Sequence, residues 1–165
     1  MSIMFNADEI LEMAEQIERN GAKFYRKAAE GFEDPKTRRI LLGLAAMEDQ
    51  HEKMFASMRA GLKESESGGP DAFDPEGEAG AYLRAMAGGY VFNTSVDPSE
   101  TLTGGETIGD ILRIAIGLEK DSIVFYVGIR EMVPARLGAV SIDQIIHEEM
   151  RHVTQLSNQL AALTE

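Results

Sequence analysis

Two short segments of the sequence each carry a glutamate and a histidine three residues apart. They are Glu48 with His51, and Glu149 with His152. On a helix, residues three apart lie on the same face, so each pair would present a carboxylate and an imidazole together. Burying such groups costs free energy unless they bind something, and together they are typical ligands of divalent metals. One such pair would also fit an exposed helix face, but its repetition favours a metal site.

The two pairs belong to an internal repeat. The offset is 101 residues, the separation of Glu48 and Glu149, and it aligns further identical residue types. These further matches are Glu18 with Glu119, Phe24 with Phe125, and Tyr25 with Tyr126. The sequence is therefore predicted to contain two copies of a helical hairpin, each with a glutamate on its first helix and a Glu-x-x-His on its second.

The first hairpin is predicted at about residues 7–62. Apolar residues follow a helical period around Glu18, and Asp34 followed by Pro35 is a typical helix start, so the first helix must end just before it. Glu18 lies 16 residues before Asp34, and Glu48 lies 14 residues after it. Because a short connection makes the helices antiparallel neighbours, the two carboxylates are expected at nearly the same height.

The second hairpin is predicted at about residues 107–163. Its first helix should begin near Thr107, with Asp110 as capping partner, and a capping box of Ser141 and Gln144 should begin its second helix. Glu119 and Glu149 again lie at similar numbers of residues from the turn between their helices. The second hairpin thus repeats the arrangement of the first.

The connection at about residues 63–106 is rich in serine, glycine, proline and acidic residues, which is typical of a loop. Such a long connection is explained if the second and third helices are parallel, because the chain must then return along the bundle. A short helix is predicted at 79–87. The residues expected to pack against the bundle or a partner subunit are Tyr82, Tyr90, Val91 and Phe92. The predicted fold is one all-α domain over residues 1–165, a four-helix bundle made of two helical hairpins joined by a long crossover.

Each predicted helix brings a glutamate to mid-height, and two helices add a histidine. The predicted metal ligands are Glu18, Glu48, His51, Glu119, Glu149 and His152. This is the ligand set of carboxylate-bridged di-iron and di-manganese bundles. Glu48 and Glu149 each share a helix face with a histidine, so they are expected to bridge both metals. Glu18 with His51 would complete one metal position, and Glu119 with His152 the other.

The expected cofactor is a pair of iron ions, with manganese or zinc as alternatives, because oxygen and nitrogen ligands suit all three. Four carboxylates would balance the charge of two divalent cations. No catalytic residue beyond the ligands and no other cofactor-binding residue is predicted.

Several other residues could take part in chemistry but have simpler interpretations. Tyr25 and Tyr126 could bind the ligand carboxylates or protect the protein from oxidising species, but they could equally fill the bundle. His147 is interpreted as a solvated residue. The nine methionines are interpreted as core residues rather than as haem ligands. Among them are Met47, Met54 and Met58.

The composition excludes several classes of function. A net charge of −12 argues against binding to nucleic acid or an anionic membrane. The absence of cysteine excludes disulfides, thiolate catalysis and iron–sulfur clusters. There is no long apolar run and no signal-like amino terminus, so a cytoplasmic protein is expected.

The paired Glu…Glu-x-x-His motif spans both hairpins and closely resembles the rubrerythrin-like group of the ferritin-like superfamily. The resemblance implies a four-helix bundle with a di-iron site, activity in peroxide reduction or ferrous-iron oxidation, and a homodimer or larger homo-oligomer. A typical rubrerythrin carries a Cys-ligated rubredoxin domain as electron donor, so this cysteine-free chain would need a separate donor protein. Typical members also have an additional glutamate where this chain has Ser122, and glutamate instead of His152. The symmetric set here is closer to that of bacterioferritin.

Three functions follow as alternatives. The first is an oxidoreductase that reduces peroxide or dioxygen with external electrons, in oxidative-stress defence. The second is a ferroxidase or iron-storage protein. The third is a metal-stabilised structural or interaction bundle without turnover.

Overall fold

Four long helices form the structure, a computed structural model that describes residues 7–62, 81–82, 85, 97–130 and 135–163. The helices are α1 (Ala7–Glu30), α2 (Pro35–Ala60), α3 (Ile108–Ile129) and α4 (Ala135–Ala162), and a 3₁₀ helix at Pro98–Thr101 precedes α3. The described residues contain no strand. None of their helices is long and apolar enough to cross a membrane.

The starts of α2 and α3 lie at the residues that the sequence predicts. Asp34 is the N-cap of α2, and its carboxylate accepts a hydrogen bond from the backbone N–H of Thr37 at 2.8 Å. Thr107 is the N-cap of α3 and forms the predicted capping box with Asp110. These caps satisfy N–H groups that have no partner within the helix, so they fix where each helix begins.

The start of α4 differs from the prediction. The helix begins at Ala135, six residues before Ser141, so Ser141 lies inside the helix and its predicted capping box with Gln144 is wrong. The intervening Gly138 disfavours a helix by only about 1 kcal/mol relative to alanine. Alanine, arginine and leucine at 135–137 favour a helix, and continuing it adds a backbone hydrogen bond per residue.

Ion pairs between the helices show that each hairpin is antiparallel. In the first hairpin Arg59, near the end of α2, lies 2.7 Å from Asp8 at the start of α1, whereas Arg19 in the middle of α1 pairs with Glu52 at 2.9 Å. In the second hairpin Arg130, just after α3, lies 3.2 Å from Asp143 in the first part of α4. Both hairpins are therefore arranged as the sequence predicts.

Contacts between α1 and α3 fix how the hairpins are arranged. Tyr25 on α1 contacts Glu119 on α3, and Glu18 on α1 contacts Tyr126 on α3. Residue numbers rise along α1 while they fall along α3, so these helices are antiparallel. Since α2 is antiparallel to α1 as well, α2 and α3 run parallel, as predicted, and the end of α2 and the start of α3 lie at opposite ends of the bundle.

One residue of the crossover packs on the bundle as expected. The described residues of the helix predicted at 79–87 are helical. The hydroxyl of Tyr82 donates a hydrogen bond to the carbonyl oxygen of Val124 at 2.7 Å, and its ring lies so close to Gly128 that a Cβ there would be 2.1 Å from it. Tyr82 therefore covers part of α3. The other three residues expected here, Tyr90, Val91 and Phe92, lie outside the described residues.

The apolar core consists of two clusters, one on each side of a layer of polar side chains at mid-height. Near the start of α1, the first cluster includes Ile10, Leu11, Phe55, Ile129 and Ile145. Toward the end of α1, the second includes Phe24, Leu41, Leu44, Leu112 and Leu156. Because both clusters are almost completely buried, they exclude water from the polar layer on both sides and hold its helices at a fixed separation.

Candidate metal centre

The polar layer contains all six predicted metal ligands. Helices α1 and α3 each contribute one of them, and α2 and α4 each contribute a glutamate and a histidine one turn later. None is more than 4% exposed. They are Glu18, Glu48, His51, Glu119, Glu149 and His152. Ionisable side chains are rarely buried so fully without partners or metal, so their convergence is the strongest indication of a site in the described residues.

The six side chains form two overlapping groups of four. One group consists of Glu18, Glu48, His51 and Glu149, and the other of Glu48, Glu119, Glu149 and His152. Within each group the potential ligand atoms all lie within 4.8 Å of one another. Both groups contain Glu48 and Glu149, which is the geometry that two bridging carboxylates require. The arrangement can hold two metal ions side by side.

Several atoms of the first group lack the hydrogen bonds that buried polar atoms normally make. His51 Nδ1 lies 2.9 Å from Glu149 Oε1 and 3.4 Å from Glu18 Oε2, but neither contact has the alignment of a hydrogen bond. These three atoms and Glu48 Oε1 have no hydrogen-bond partner among the described residues. Unsatisfied buried polar atoms are rare and costly. Four of them from one group therefore fit the ligand shell of a cation.

The second histidine has an equivalent orientation. His152 Nδ1 lies 2.8 Å from Glu149 Oε2, 3.5 Å from Glu119 Oε1 and 3.7 Å from Glu48 Oε1. The rings of His51 and His152 are nearly parallel, with their centroids 6.1 Å apart. Both imidazoles thus direct Nδ1 toward the carboxylates and keep Nε2 on the outer side of the layer.

The outer nitrogens of the two histidines have different partners. His51 Nε2 lies 2.7 Å from Glu148 Oε2, whereas His152 Nε2 lies 3.3 Å from the sulfur of Met47. No role was predicted for Glu148, and Met47 was interpreted as a core residue. The repeat offset of 101 would have paired these two residues, because each directly precedes a glutamate shared by both groups.

Two tyrosines bind Glu18 and Glu119, the glutamates that are not shared between the two groups. The hydroxyl of Tyr25 donates a hydrogen bond to Glu119 Oε1, and the hydroxyl of Tyr126 donates one to Glu18 Oε1. Burial and the nearby carboxylates raise the pKa of both tyrosines well above the usual value, so both remain donors. Two of the interpretations of these tyrosines thus hold together, because both rings are buried in the apolar clusters while their hydroxyls bind carboxylates of predicted ligands.

Small residues lie one turn after Glu18 and Glu119, at positions that the repeat makes equivalent. On α1 this residue is Gly21, where a Cβ would lie 2.9 Å from Glu48 Oε2. On α3 it is Ser122, which is buried and donates its hydroxyl hydrogen bond to the carbonyl oxygen of Leu118 at 3.0 Å. Because Gly21 has no Cβ, the Glu48 carboxylate can occupy this space.

The carboxylates make the two imidazoles strongly basic. Burial alone would lower the pKa of His51, but Glu149 and Glu18 raise it to about 11. Burial would likewise lower the pKa of His152, but Glu119 and Glu149 raise it to about 9. Both imidazoles are therefore protonated at neutral pH in the metal-free protein.

The pKa values of three glutamates are shifted, those of Glu48 and Glu119 upward and that of Glu149 downward. Burial, followed by the charges of the surrounding carboxylates, raises the pKa of Glu48 well above its usual value. Burial also raises the pKa of Glu119, which reaches about 8 although His152 opposes the shift. Burial would raise the pKa of Glu149 too, but the hydrogen bond with His152 and the close imidazole of His51 lower it to about 2. In the metal-free protein, protons thus neutralise much of the charge that cations would neutralise.

The other candidate residues lie away from the cluster. His147 is exposed, as expected, and its Nδ1 lies 2.6 Å from the carbonyl oxygen of Asp143. Met58 is buried in the first apolar cluster, and the partly buried Met54 packs against it, so both contribute to the core as predicted. Met150 is 52% exposed, so the interpretation of all nine methionines as core residues is wrong at that position.

Comparisons with known proteins agree with the geometry. The model of the rubrerythrin family matches residues 9–160. Among solved structures, the chain is similar to a protein from Thermotoga maritima described as a ferritin-like diiron-carboxylate protein, with 24% identity, coverage of 96% of both chains and a TM-score of 0.70. At that identity the similarity establishes the fold, which confirms the predicted ferritin-like bundle. No curated protein sequence matches the chain significantly. The family match and the buried cluster together suggest a dimetal site.

Proposed function

The chain belongs to the rubrerythrin family, and from this premise we propose that it is a di-iron oxidoreductase that reduces peroxide or dioxygen in defence against oxidative stress. The observation that supports this most directly is that two groups of potential ligands share Glu48 and Glu149. A structural metal site is usually closed around one ion, so two adjacent positions with shared carboxylates favour redox chemistry at a metal pair.

The proposed ligands divide between the two metal positions. Glu48 and Glu149 would bridge both ions, Glu18 and His51 would complete one position, and Glu119 and His152 the other. When bound, two ferrous ions would supply the two electrons that break the O–O bond of peroxide. The reaction also takes up two protons and yields two waters. A separate protein would then return the electrons, since the given sequence has no cysteine to hold a rubredoxin-type iron centre.

The ligand chemistry supports iron as the cofactor. Carboxylate and imidazole donors suit Fe(II), Mn(II) and Zn(II), but only iron and manganese can supply electrons to the substrate. Four carboxylates also balance two divalent cations, so the filled site would be formally neutral and compatible with burial. Assembly into a homodimer or larger homo-oligomer is part of the same proposal.

The proposal is tested by anaerobic titration of the metal-free protein with Fe(II). We expect about two irons per chain, and the loss of at least one in Glu48→Ala and His152→Ala. The matched controls are Glu30→Ala and His147→Ala, which remove an exposed glutamate and an exposed histidine outside the cluster. No stoichiometric binding, or binding that the cluster variants do not change, would contradict the dimetal site.

The reaction is tested by mixing the ferrous protein with peroxide or with dioxygen in a stopped-flow instrument. Oxidation that is much faster with peroxide than with dioxygen would support peroxide reduction. Faster oxidation by dioxygen would favour the dioxygen branch of the proposal. Tight binding of Zn(II) with no oxidation of bound Fe(II) by either oxidant would instead indicate a structural metal site.

One observation also favours ferrous-iron oxidation as a second candidate. Each group contains three glutamates and one histidine, so the two positions offer the same ligand types. Two positions with the same ligand types could oxidise ferrous iron and then release it, as well as retain it. Sedimentation analysis after aerobic addition of excess Fe(II) tests this function. A large assembly that keeps many irons per chain soluble would support storage, and a small oligomer with two irons per chain would exclude it.

A further inference from the structure

The residue that directly precedes each shared glutamate contacts the histidine of the other hairpin. Glu148 precedes Glu149 on α4 and reaches His51 on α2, with 2.7 Å between Oε2 and Nε2. Met47, the repeat equivalent of Glu148, has its sulfur 3.3 Å from Nε2 of His152. The repeat therefore creates the same outer position twice, but the sequence fills one with a carboxylate and the other with a thioether.

These two partners differ greatly as hydrogen-bond acceptors. Both histidines direct Nδ1 into the cluster, so a histidine that binds metal through Nδ1 must carry its proton on Nε2. A carboxylate is a strong, charged acceptor for that proton, whereas a thioether is a weak and neutral one. An outer carboxylate fixes the tautomer and orientation of a metal-bound histidine and increases its basicity.

The contacts of Glu148 indicate that it can keep this position. Its side chain is 33% exposed, so its charge remains partly solvated and need not be buried at full cost. Its second oxygen lies 3.5 Å from the guanidinium of Arg151, one turn later on α4. The hydrogen bonds between tyrosines and glutamates are the same at both metal positions, so they do not create the difference.

We propose that Glu148 is a positioning residue that makes the two metal positions unequal. The position of Glu18 and His51 binds its metal more tightly and fills first, and the position of Glu119 and His152, where Met47 replaces the carboxylate, binds more weakly. This inference rests on the proposed dimetal function and goes beyond it by assigning an order to the two positions. The weaker position is then the one at which metal exchanges more readily.

The test is a titration of the metal-free protein with Co(II), followed by calorimetry and by the visible absorption of bound Co(II). The wild type should show two binding events with dissociation constants that differ by about 10- to 100-fold. The first event should disappear in His51→Ala and persist in His152→Ala. Two events of equal affinity in the wild type, or loss of the first event in His152→Ala instead, would overturn the order.

Exchanging the outer residues tests their role directly. Glu148→Met should weaken the first event by about 10- to 100-fold and make the two affinities similar. Met47→Glu should increase the Co(II) affinity of the second event. A gain in affinity cannot result from a damaged fold. Glu148→Gln, which keeps an acceptor but loses the charge, should give an intermediate affinity. Unchanged affinities in both Glu148→Met and Met47→Glu would overturn the proposal.

The matched control is Glu52→Met. Glu52 directly follows His51, its side chain is 29% exposed, and it pairs with Arg19 at 2.9 Å, so it resembles Glu148 in exposure and charge. Its replacement should leave both events unchanged, and an equal loss there would show a general charge effect that overturns the specific role of Glu148. If the wild type does not bind two Co(II) ions at all, the dimetal function itself fails, which is a different result.

Discussion

The hydroxyl of Tyr25 on α1 donates a hydrogen bond to Oε1 of Glu119 on α3, and so connects the two hairpins at the level of the candidate metal centre. The same connection occurs in reverse between Tyr126 on α3 and Glu18 on α1. Each glutamate that would complete one metal position is thus held by the other hairpin. Packing of the hairpins and geometry of the centre are therefore coupled.

Replacing Tyr25 with phenylalanine should destabilise the metal-free protein by about 1–3 kcal/mol, because buried Glu119 loses its donor. Tyr126→Phe should have a similar effect, since its environment is equivalent. Denaturant unfolding in the presence of a chelator measures both. Tyr82→Phe is the control, because that hydroxyl lies at the surface of the bundle and its loss should cost less. Variants of Tyr25 and Tyr126 that are as stable as the wild type would contradict this account.

Gly21→Ala should weaken metal binding about tenfold or more while it leaves the fold intact. The added Cβ would lie 2.9 Å from Glu48 Oε2, so the carboxylate must move from the position in which it can bridge. Alanine also favours a helix over glycine by up to about 1 kcal/mol, which offsets part of any strain in the metal-free protein.

Gly43→Ala is the matched control for Gly21→Ala, because Gly43 lies on α2 with nothing within 4 Å of an added Cβ. It should stabilise the protein slightly and leave metal affinity unchanged. Zn(II) calorimetry and thermal unfolding of both variants measure the two effects. Equal metal affinities in both variants would show that Gly21 is not needed for the position of Glu48.

The stability of the metal-free protein should fall as the pH rises above about 4.5, the usual pKa of a glutamate. Relative to their usual values of 4.5 and 6.5, the pKa values of Glu48 and Glu119 and of His51 and His152 are raised. The folded protein thus binds more protons than the unfolded chain at these groups. Their stabilising effect is complete below the unfolded pKa values and is lost as the pH rises through the folded ones. Denaturant unfolding between pH 5 and pH 9, with chelator present, measures the slope, and stability that rises with pH would contradict it.

The contribution of Glu149 to the stability of the metal-free protein should have the opposite pH dependence. Its pKa is lowered to about 2 from the usual 4.5. It therefore stabilises the folded protein above about pH 4.5 and loses that effect as the pH falls toward about 2. Glu149→Gln should reduce the loss of stability on acidification, which unfolding measured from pH 5 down to pH 3 can show. A variant with the same acid dependence as the wild type would argue against a low pKa.

Metal binding at pH 7 should release protons, and metal affinity should increase with pH. His51 and His152 must lose a proton before Nδ1 can bind metal, and the protonated carboxyl groups of Glu48 and Glu119 must ionise. Zn(II) calorimetry in two buffers with different ionisation enthalpies gives the number of protons released. His147→Ala should release the same number, because this exposed residue takes no part. Binding heats that do not depend on the buffer would disprove the proton linkage.

The sequence was sufficient to predict the four long helices and the residues that they bring to mid-height, but not the 3₁₀ helix at Pro98–Thr101. The 101-residue offset from Glu48 to Glu149 revealed the second hairpin, and Thr107 with Asp110 indicated the start of α3. Distances from the turns gave the height of each glutamate, because the rise per residue in a helix is constant. The prediction for Ser141 was wrong because a good local capping signal can lie inside a helix whose continuation is more favourable.

The sequence by itself determined which six side chains meet, since the helical period, the positions of the turns and the 101-residue repeat can all be read from the order of residues. Only the tertiary structure decided which atoms face one another across the helices. The contacts of Glu148 with His51, Met47 with His152 and Tyr25 with Glu119 depend on how far each helix is rotated about its axis. Packing of the two apolar clusters sets that rotation, and it involves residues distant in the sequence.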